Sequence, residues 1–255
     1  PHTPKIAGAG SFQGSMFHSG HWDHSVAYAG KRVGIIGSGC SAAQIVPAIV
    51  GQVSRLSLFM GKAQWILPRT DRPPGPVERH LRSLPGIRQT ISWLVFSFYD
   101  IRFVAFRRFP GLSGISRLVK GHYRRRLQKQ LDTYISDDKV RRHMMPDYEL
   151  GCRRLIPSHA YLPALSRANV EVDISGIERI TPEGIRTKDG KHVPLDVIVY
   201  AMGYYAYSNM RKALTFQVYG LGGRNLNLEW EEKIASYKGI AVSGYPNYFK
   251  VNGPN

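Results

Sequence analysis

The stretch "GKRVGIIGSGCSAAQIVPAIV", residues 30–50, decides the fold. Its β-branched segment Arg32–Ile36 is followed by a glycine-rich turn and then by an apolar segment that begins at about Ser41. This order predicts a short buried strand, a tight turn and a helix. A strand and a helix joined in this way form the first part of a β-α-β unit in a parallel sheet.

The turn has the form G-x-G-x-x-A. Its small residues permit a tight turn, a close approach of the backbone to a pyrophosphate, and close packing of helix against strand. The N–H groups and the dipole of the helix N-terminus then favour phosphate. The residues predicted to bind a dinucleotide are therefore Gly37, Ser38, Gly39, Cys40, Ser41 and Ala42. An ordinary strand-helix turn is the alternative.

The second strand of the unit, in residues 53–62, is expected to end near Met60. An NAD-binding fold places an acidic residue there to accept a hydrogen bond from the ribose hydroxyl. This sequence has Lys62 instead. A cation at this position is suited to the 2′-phosphate of NADP, whereas the alternative is a surface lysine with no ligand.

Composition sets broader limits. The 255 residues, 43% of them hydrophobic, suffice for one large domain or two small ones. Cys40 and Cys152 are too distant for a redox pair and too few for a disulfide scaffold, which predicts a cytoplasmic protein without thiol redox chemistry. The longest apolar run, Ile91 to Phe98, is far shorter than the roughly 20 residues of a transmembrane helix, and no signal-peptide pattern is present.

The formal net charge of +17 raises nucleic acid or an anionic membrane as a partner. Most of the excess is local, because residues 79–142 contain 15 Lys and Arg against 4 Asp and Glu. A basic helical face of this kind is more often solvated, or meets an acidic domain, than it reads DNA. No nucleic-acid-binding signature accompanies it, so we expect no nucleic acid partner.

Three histidines in residues 11–25 raise the possibility of a metal site. His18, His21 and His24 recur at intervals of three, and an extended or looped segment with this spacing does not wrap around one ion. No downstream cysteine or acidic cluster completes a ligand set. We therefore expect no metal.

The same stretch carries a longer pattern. Phe12, Gly14, His18, Trp22 and Asp23 spell F-x-G-x-x-x-H-x-x-x-W-D. This pattern resembles the fingerprint of type I Baeyer–Villiger monooxygenases, flavoproteins that use NADPH and O2 to insert oxygen beside a ketone carbonyl. The related flavin-containing monooxygenases, which oxidise nitrogen and sulfur, usually end the motif with an aromatic residue and lysine, so the Trp-Asp ending favours the Baeyer–Villiger branch.

The resemblance extends along the chain. Four later segments match the family in order, namely residues 64–69, 148–172, 195–206 and 244–255. It implies FAD and NADPH as cofactors, a small-molecule ketone and O2 as substrates, and an ester or lactone as product, formed through a C4a-peroxyflavin. It also implies that the fingerprint segment links two nucleotide-binding domains, with its histidine coupling cofactor binding to domain movement.

The resemblance assigns roles to a basic pair. Arg154 would lie beside the flavin, where it stabilises the deprotonated peroxyflavin and then the negative charge that develops on attack at the ketone. Arg153 would reach the NADP 2′-phosphate. Without the resemblance, adjacent arginines are usually surface residues.

Two positions depart from the family pattern. Gly61 stands where the family often has an arginine, so that phosphate recognition rests on Lys62 and Arg153. In the turn that leads back to the FAD domain, Ala201 and Gly203 are present as cofactor-binding residues, but Met202 replaces a threonine.

The fold implied is α/β: a Rossmann-like NADP-binding domain with a parallel sheet, a helical insert, and part of an FAD-binding domain. The ranges are 1–30 for the linker with the fingerprint, 31–75 and 150–203 for the NADP-binding domain, 76–149 for the insert, and 204–255 for the partial FAD domain. Strands near 170–174 and 184–199, with a turn at Asp189-Gly190, are expected to resume the sheet. A single dinucleotide turn suggests a fragment of a longer enzyme, which lacks an N-terminal FAD-binding segment and the C-terminal end.

Other functions stay open. One alternative is a flavin monooxygenase that oxidises nitrogen or sulfur, and another is an inactive NADP-binding fragment or basic interaction module without flavin. Reductases of the glutathione and thioredoxin type share the architecture but need a cysteine pair that this sequence does not have. The particular ketone and the oligomeric state do not follow from the sequence.

Overall fold

A computed structural model describes residues 3–68, 75–84, 86–106, 113–153, 155–203 and 216–250, with only the backbone described at 98–106 and 113–116. Two compact units are present, Thr3–Met202 and a second unit that begins at Gly203. Each is described by itself.

The first unit alternates strands and helices. Its strands are β1 Ser15–His18, β2 Arg32–Ile36, β3 Arg55–Phe59, β4 Ile66–Leu67, β5 Ile156–Pro157, β6 Val170–Asp173, β7 Ile177–Thr181, β8 Gly184–Thr187, β9 His192–Pro194 and β10 Val197–Tyr200. Its helices are α1 Cys40–Ile49, α2 Pro76–Ser83, α3 Ile87–Phe106, α4 Ser113–Tyr134, α5 Asp138–Met144 and α6 Tyr161–Leu165.

The main sheet has five strands in the order β1-β10-β2-β3-β6, and every pair is parallel. The predicted α/β fold is thereby confirmed. The strand at Arg32–Ile36 has the bounds that the sequence predicts, and β3 ends next to Met60 as expected. Helix α1 begins at Cys40, one residue earlier than expected, because Gly39 is its N-cap.

The central strands are buried on both faces. Val33, Ile35, Leu56, Leu58 and Ile198 are almost or entirely inaccessible. Strands covered on both sides carry continuous apolar runs instead of an alternating pattern, and this explains the sequences of β2, β3 and β10. The main core continues into α1, α4, α5 and α6. The glycine turn therefore follows directly on the buried core of the unit.

The segment that we expected to serve as a linker also supplies a strand. Residues Ser15–His18 pair in parallel with Val197–Tyr200 and form one edge of the main sheet. Four residues between glycines carry too little periodic signal to reveal a strand in advance. The fingerprint segment is thus anchored to the sheet before it continues towards α1.

One expectation about the later strands is wrong. Only β6 and β10 join the parallel sheet, while β7, β8 and β9 form a separate antiparallel sheet. The connections β7–β8 and β8–β9 are short, and short connections produce antiparallel hairpins because a parallel pairing needs a long crossover. The turn at Asp189-Gly190 does lie between β8 and β9, with Gly190 at φ 87°.

In the part of 76–149 that the structure describes there are four helices, α2 to α5. Leu127 and Leu131 of α4 are fully buried, and α5 contributes Val140 and Met144 to the same core. Asp137 caps α5 by accepting hydrogen bonds from the backbone N–H groups of Val140 and Lys139, which lower the pKa of its carboxyl. Within the described residues no helix has both the length and the apolar character needed to cross a bilayer.

The second unit is described from residue 216. Helix α7, Leu226–Glu232, begins after Asn225, whose side chain accepts hydrogen bonds from two backbone N–H groups of its first turn. Leu226, Trp230 and Tyr245 form a small core.

An ion pair fixes the amino ends of β2 and β10. Asp196 accepts hydrogen bonds from the Arg32 guanidinium at 2.6 Å and from the Arg32 backbone N–H at 2.8 Å, and its own N–H donates to the Arg32 carbonyl. The guanidinium and then the backbone N–H lower the pKa of the Asp196 carboxyl from 3.8 to about 2. Because the folded-state pKa is depressed, this stabilisation is present above pH 3.8 and is lost as pH falls through about 2.

We expect Asp196→Asn to lower the free energy of unfolding at pH 7 by about 1–2 kcal/mol, since a charge-assisted hydrogen bond to a partly exposed group is lost. The difference from the native protein should shrink at pH 2. Urea denaturation at both pH values measures it, with the exposed Asp147→Asn as control. An equal difference at the two pH values would contradict the assignment of this pH dependence to Asp196.

Candidate functional site

The glycine turn lies at the carboxyl end of β2, beside the end of β10. Gly37 has φ 120°, and a Cβ atom there would lie 2.5 Å from the carbonyl oxygen of Ala201. Both the backbone angle and this close contact require glycine. Ala201, which was predicted to bind cofactor, is itself buried and lies directly beneath the glycine turn.

Gly39 has a different role. It is the N-cap of α1 with φ −81°, and a Cβ atom there would meet no other atom within 4 Å. The backbone at Gly39 therefore faces open space at the start of a ten-residue helix, where a phosphate group can approach the N–H groups. Ala42 is completely buried, whereas the Cys40 thiol is exposed.

Ser38 connects the turn to the next strand. Its hydroxyl donates a 2.7 Å hydrogen bond to the carbonyl of Lys62, and the residue is buried. The Ser38 side chain, which we predicted to bind cofactor, thus holds the backbone of Lys62, the residue predicted to bind the 2′-phosphate. Lys62 itself is exposed, and its side chain extends from the loop after β3.

The loop after β3 is held at three consecutive carbonyls. Gly61 O lies 2.7 Å from His143 Nε2, Lys62 O accepts from Ser38 Oγ, and Ala63 O accepts from the Tyr148 hydroxyl at 3.1 Å. These side chains come from α5, from the glycine turn, and from the segment after α5. We call residues 61–63 with these contacts the pinned loop.

Arg153 joins this arrangement through Tyr148. Its guanidinium carbon lies 4.7 Å from the centre of the Tyr148 ring, a cation-π contact. The backbone carbonyl of Tyr148 accepts from the Trp65 indole N–H at 3.1 Å. Burial raises the pKa of the Tyr148 hydroxyl, with the Arg153 charge acting in the opposite direction. Tyr148 therefore connects both predicted phosphate-binding cations, Lys62 through the adjacent carbonyl and Arg153 through its ring.

The fingerprint residues His18 and Trp22 make local contacts in and around the segment that connects β1 to β2. His18 is buried at the end of β1, and its Nδ1 accepts from the Gly20 N–H at 2.9 Å. Trp22 packs edge-on against Phe17 and Tyr28, with centroids 5.0 and 6.0 Å apart. All of these contacts lie within residues 17–28, from the end of β1 to the segment before β2.

Asp23, Gly14 and Phe12 lie elsewhere in the same part of the chain. Asp23 accepts from the Ser25 hydroxyl at 2.6 Å and from the Ser25 N–H, which lower the pKa of the Asp23 carboxyl. A Cβ on Gly14 would lie 2.3 Å from the Asp196 carbonyl and 2.6 Å from the Phe12 ring, so only glycine fits. His21 and His24 are exposed. In the described ranges, no group of three potential metal ligands occurs.

Some of the predicted site residues lie outside the described residues or next to them. Arg154, predicted as catalytic, lies outside the described residues, as do 204–206 and 251–255 of the matching segments. Gly203 is described and has φ 77°, a conformation that favours glycine. Met202, in place of the family threonine, is 40% exposed.

Sequence reasoning did not single out His143 or Tyr148. Tyr148 stands five positions before Arg153, within a segment that matches the family, and this proximity was the available signal. His143 lies 82 positions from Gly61, and nothing in the sequence indicates that they meet.

A parallel sheet with this turn at the carboxyl end of its second strand defines a dinucleotide-binding α/β protein. Residues 1–83 match the family described as flavin-binding monooxygenase-like. The whole chain is 36% identical to a Baeyer–Villiger monooxygenase of Pseudomonas aeruginosa and 34% identical to one of Streptomyces coelicolor. A crystal structure of OTEMO in complex with FAD and NADP has a TM-score of 0.76 at 26% identity, over 99% of this chain and 53% of that one.

The chain is thus similar over its whole length to Baeyer–Villiger monooxygenases, and the predicted resemblance is confirmed. It spans 47% of the length of these two relatives.

We expect Tyr148→Phe to lower the free energy of unfolding by about 1 kcal/mol, because the Ala63 carbonyl loses its hydroxyl donor while the ring stays. Tyr148→Leu should cost more, since the platform under Arg153 is also removed. Urea denaturation measures both, with the exposed Tyr237→Phe as control. Native stability in Tyr148→Phe would show that this bond does not hold the pinned loop.

Proposed function

We propose that this chain forms the NADP-binding part of an FAD- and NADPH-dependent monooxygenase that inserts one oxygen atom of O2 beside a ketone carbonyl. The observation that carries the proposal is the open space at Gly39 on the N-terminus of α1, next to a loop that presents Lys62 and is tied to Arg153 through Tyr148. The similarity to Baeyer–Villiger monooxygenases and to OTEMO bound to FAD and NADP supports the choice of cofactors.

The residues of the turn fit a dinucleotide pyrophosphate. Gly39 leaves room for the phosphates, and the first-turn N–H groups of α1 point towards them. Gly37 and Ala42 bring strand and helix close together but leave the phosphate side clear. This division of roles explains why the two glycines of the turn are not interchangeable.

Lys62 and Arg153 would bind the 2′-phosphate of NADP. A guanidinium donates in a planar fork that matches phosphate oxygens, and an ammonium adds a point charge. Residues 60–65 contain no acid that would repel the phosphate or accept from a ribose hydroxyl. The pinned loop fixes the Lys62 backbone, so that less conformational freedom is lost when the ligand binds.

When bound, FAD and NADPH supply the reducing equivalents and the activation of O2. We propose that Arg154 stabilises the negative charge that develops on the substrate oxygen. A guanidinium stays charged at any physiological pH and is far more effective in a water-poor pocket than in bulk solvent. We propose that Ala201, which is buried, and Gly203, with its positive φ, set the backbone direction at the cofactor site.

Adenosine 2′,5′-bisphosphate and 5′-AMP test the phosphate site without any redox reaction. We expect the native protein to bind the bisphosphate more tightly than AMP. Lys62→Ala and Arg153→Ala should each weaken the bisphosphate by about tenfold and leave AMP unchanged, since each removes one charge-assisted contact. Isothermal titration calorimetry measures this, with Lys129→Ala on α4 as control. Equal affinity of the native protein for both ligands would overturn the assignment.

Activity is tested on the full-length protein, with NADPH oxidation and product analysis over ketones, sulfides and amines. We expect Arg154→Ala to lower ester or lactone formation by about a hundredfold or more while NADPH still reduces the flavin. Arg154→Lys should recover part of the rate, because it restores charge without the fork. Normal ketone oxygenation by Arg154→Ala would exclude this role, and products from sulfides or amines alone would favour heteroatom oxidation.

A further inference from the structure

Helices α2 and α3 carry a concentration of exposed apolar side chains. Trp93 and Phe96 are each 66% exposed, Leu94 is 54% exposed and Val95 is 48% exposed. Four consecutive residues, at about 100° each, point to almost every side of a helix. Within this run Trp93 and Phe96, three residues apart, share one face of α3, and large apolar residues exposed together mark an interaction site.

Basic side chains gather beside this patch. A groove of about 400 Å³ between α2 and α3 is lined by Arg79, Arg82 and Arg88, together with Ser83, Ile91 and Ser92. Arg82 also pairs with Glu78 at 2.6 Å. Glu78 is the only acidic residue between positions 75 and 99 of the sequence, so the surroundings of the patch are strongly cationic.

We propose that the α2–α3 hairpin docks on an anionic phospholipid surface. The arginines of the groove would bind lipid phosphates in bidentate fashion, and Trp93 and Phe96 would enter the boundary between headgroups and acyl chains. With a rise of 1.5 Å per residue, residues 93–96 lie about 8–12 Å beyond Arg88 along the helix axis. In a helix that lies in the interface plane, this separation places Arg88 and the apolar residues next to each other along the same membrane surface.

The charge pattern favours lipid over a second copy of the chain. A symmetric contact through this face would bring the same arginines of two copies together, and like charges in an interface are unfavourable. The combination of Trp and Phe with flanking arginines is typical of helices that lie in a membrane interface. This inference does not depend on the proposed redox function.

Vesicle co-sedimentation tests the proposal. We expect the native full-length protein to bind vesicles of phosphatidylcholine mixed with phosphatidylglycerol, and to bind pure phosphatidylcholine much more weakly. Trp93→Ser with Phe96→Ser should weaken binding to the mixed vesicles by at least about tenfold, since two large apolar side chains no longer enter the lipid. Arg79→Gln with Arg88→Gln should weaken it by about fivefold for each charge removed and reduce its salt dependence.

Leu228→Ser with Ile240→Ser is the matched control, because these residues of the second unit are exposed to a similar degree. The control should bind vesicles like the native protein, and circular dichroism should show native helix content in every variant. Three results would overturn the proposal: no binding to mixed vesicles, equal binding to both vesicle types, or undiminished binding by the Trp93 and Phe96 variant. A dimer that this variant dissociates, without vesicle binding, would identify a second copy as the occupant.

Discussion

The close approach of Gly37 to the Ala201 carbonyl is the constraint on which the rest of the first unit depends. It is possible only because β2 and β10 are parallel neighbours that end together, and because position 37 has no side chain and accepts a positive φ. With the turn pressed onto this floor, α1 begins at Cys40 and its N-terminus faces open space at Gly39. The same approach sets the end of β2 next to the end of β3, where Ser38 reaches the Lys62 carbonyl. The geometry that we propose to bind phosphate thus follows from one backbone contact.

The loop after β3 is also held by side chains from outside the β-α-β unit. Two of the three carbonyls in the pinned loop are held by His143 and Tyr148, which belong to α5 and the segment that follows it. Helix α5 therefore does more than contribute to the core, because its His143 contacts the loop that carries Lys62. Gly61 has no side chain, and its carbonyl oxygen lies 2.7 Å from His143 Nε2.

The sequence was most informative where local rules dominate. The strand Arg32–Ile36, the turn and the start of α1 could be predicted because β-branched residues, glycines and an apolar helix follow each other within twenty positions. Two features could not. The strand Ser15–His18 is identified only by its pairing with Val197–Tyr200, and the separation of β7–β9 from the main sheet depends on tertiary pairing. Likewise, Lys62 and Arg153 could each be proposed from the sequence, whereas their connection depends on the Tyr148 hydroxyl reaching the Ala63 carbonyl, 85 positions away in the chain.

The pairing of His18 with Tyr200 has a mechanical consequence. At this last rung of the sheet edge, the Ser19 N–H donates to the Tyr200 carbonyl, so the fingerprint segment and the strand that leads to Gly203 leave the sheet from one point. Because both segments continue from this hydrogen-bonded rung, a shift of the rung moves the starting point of both. His18, buried at this rung, makes both segments start from the same place at the edge of the main sheet.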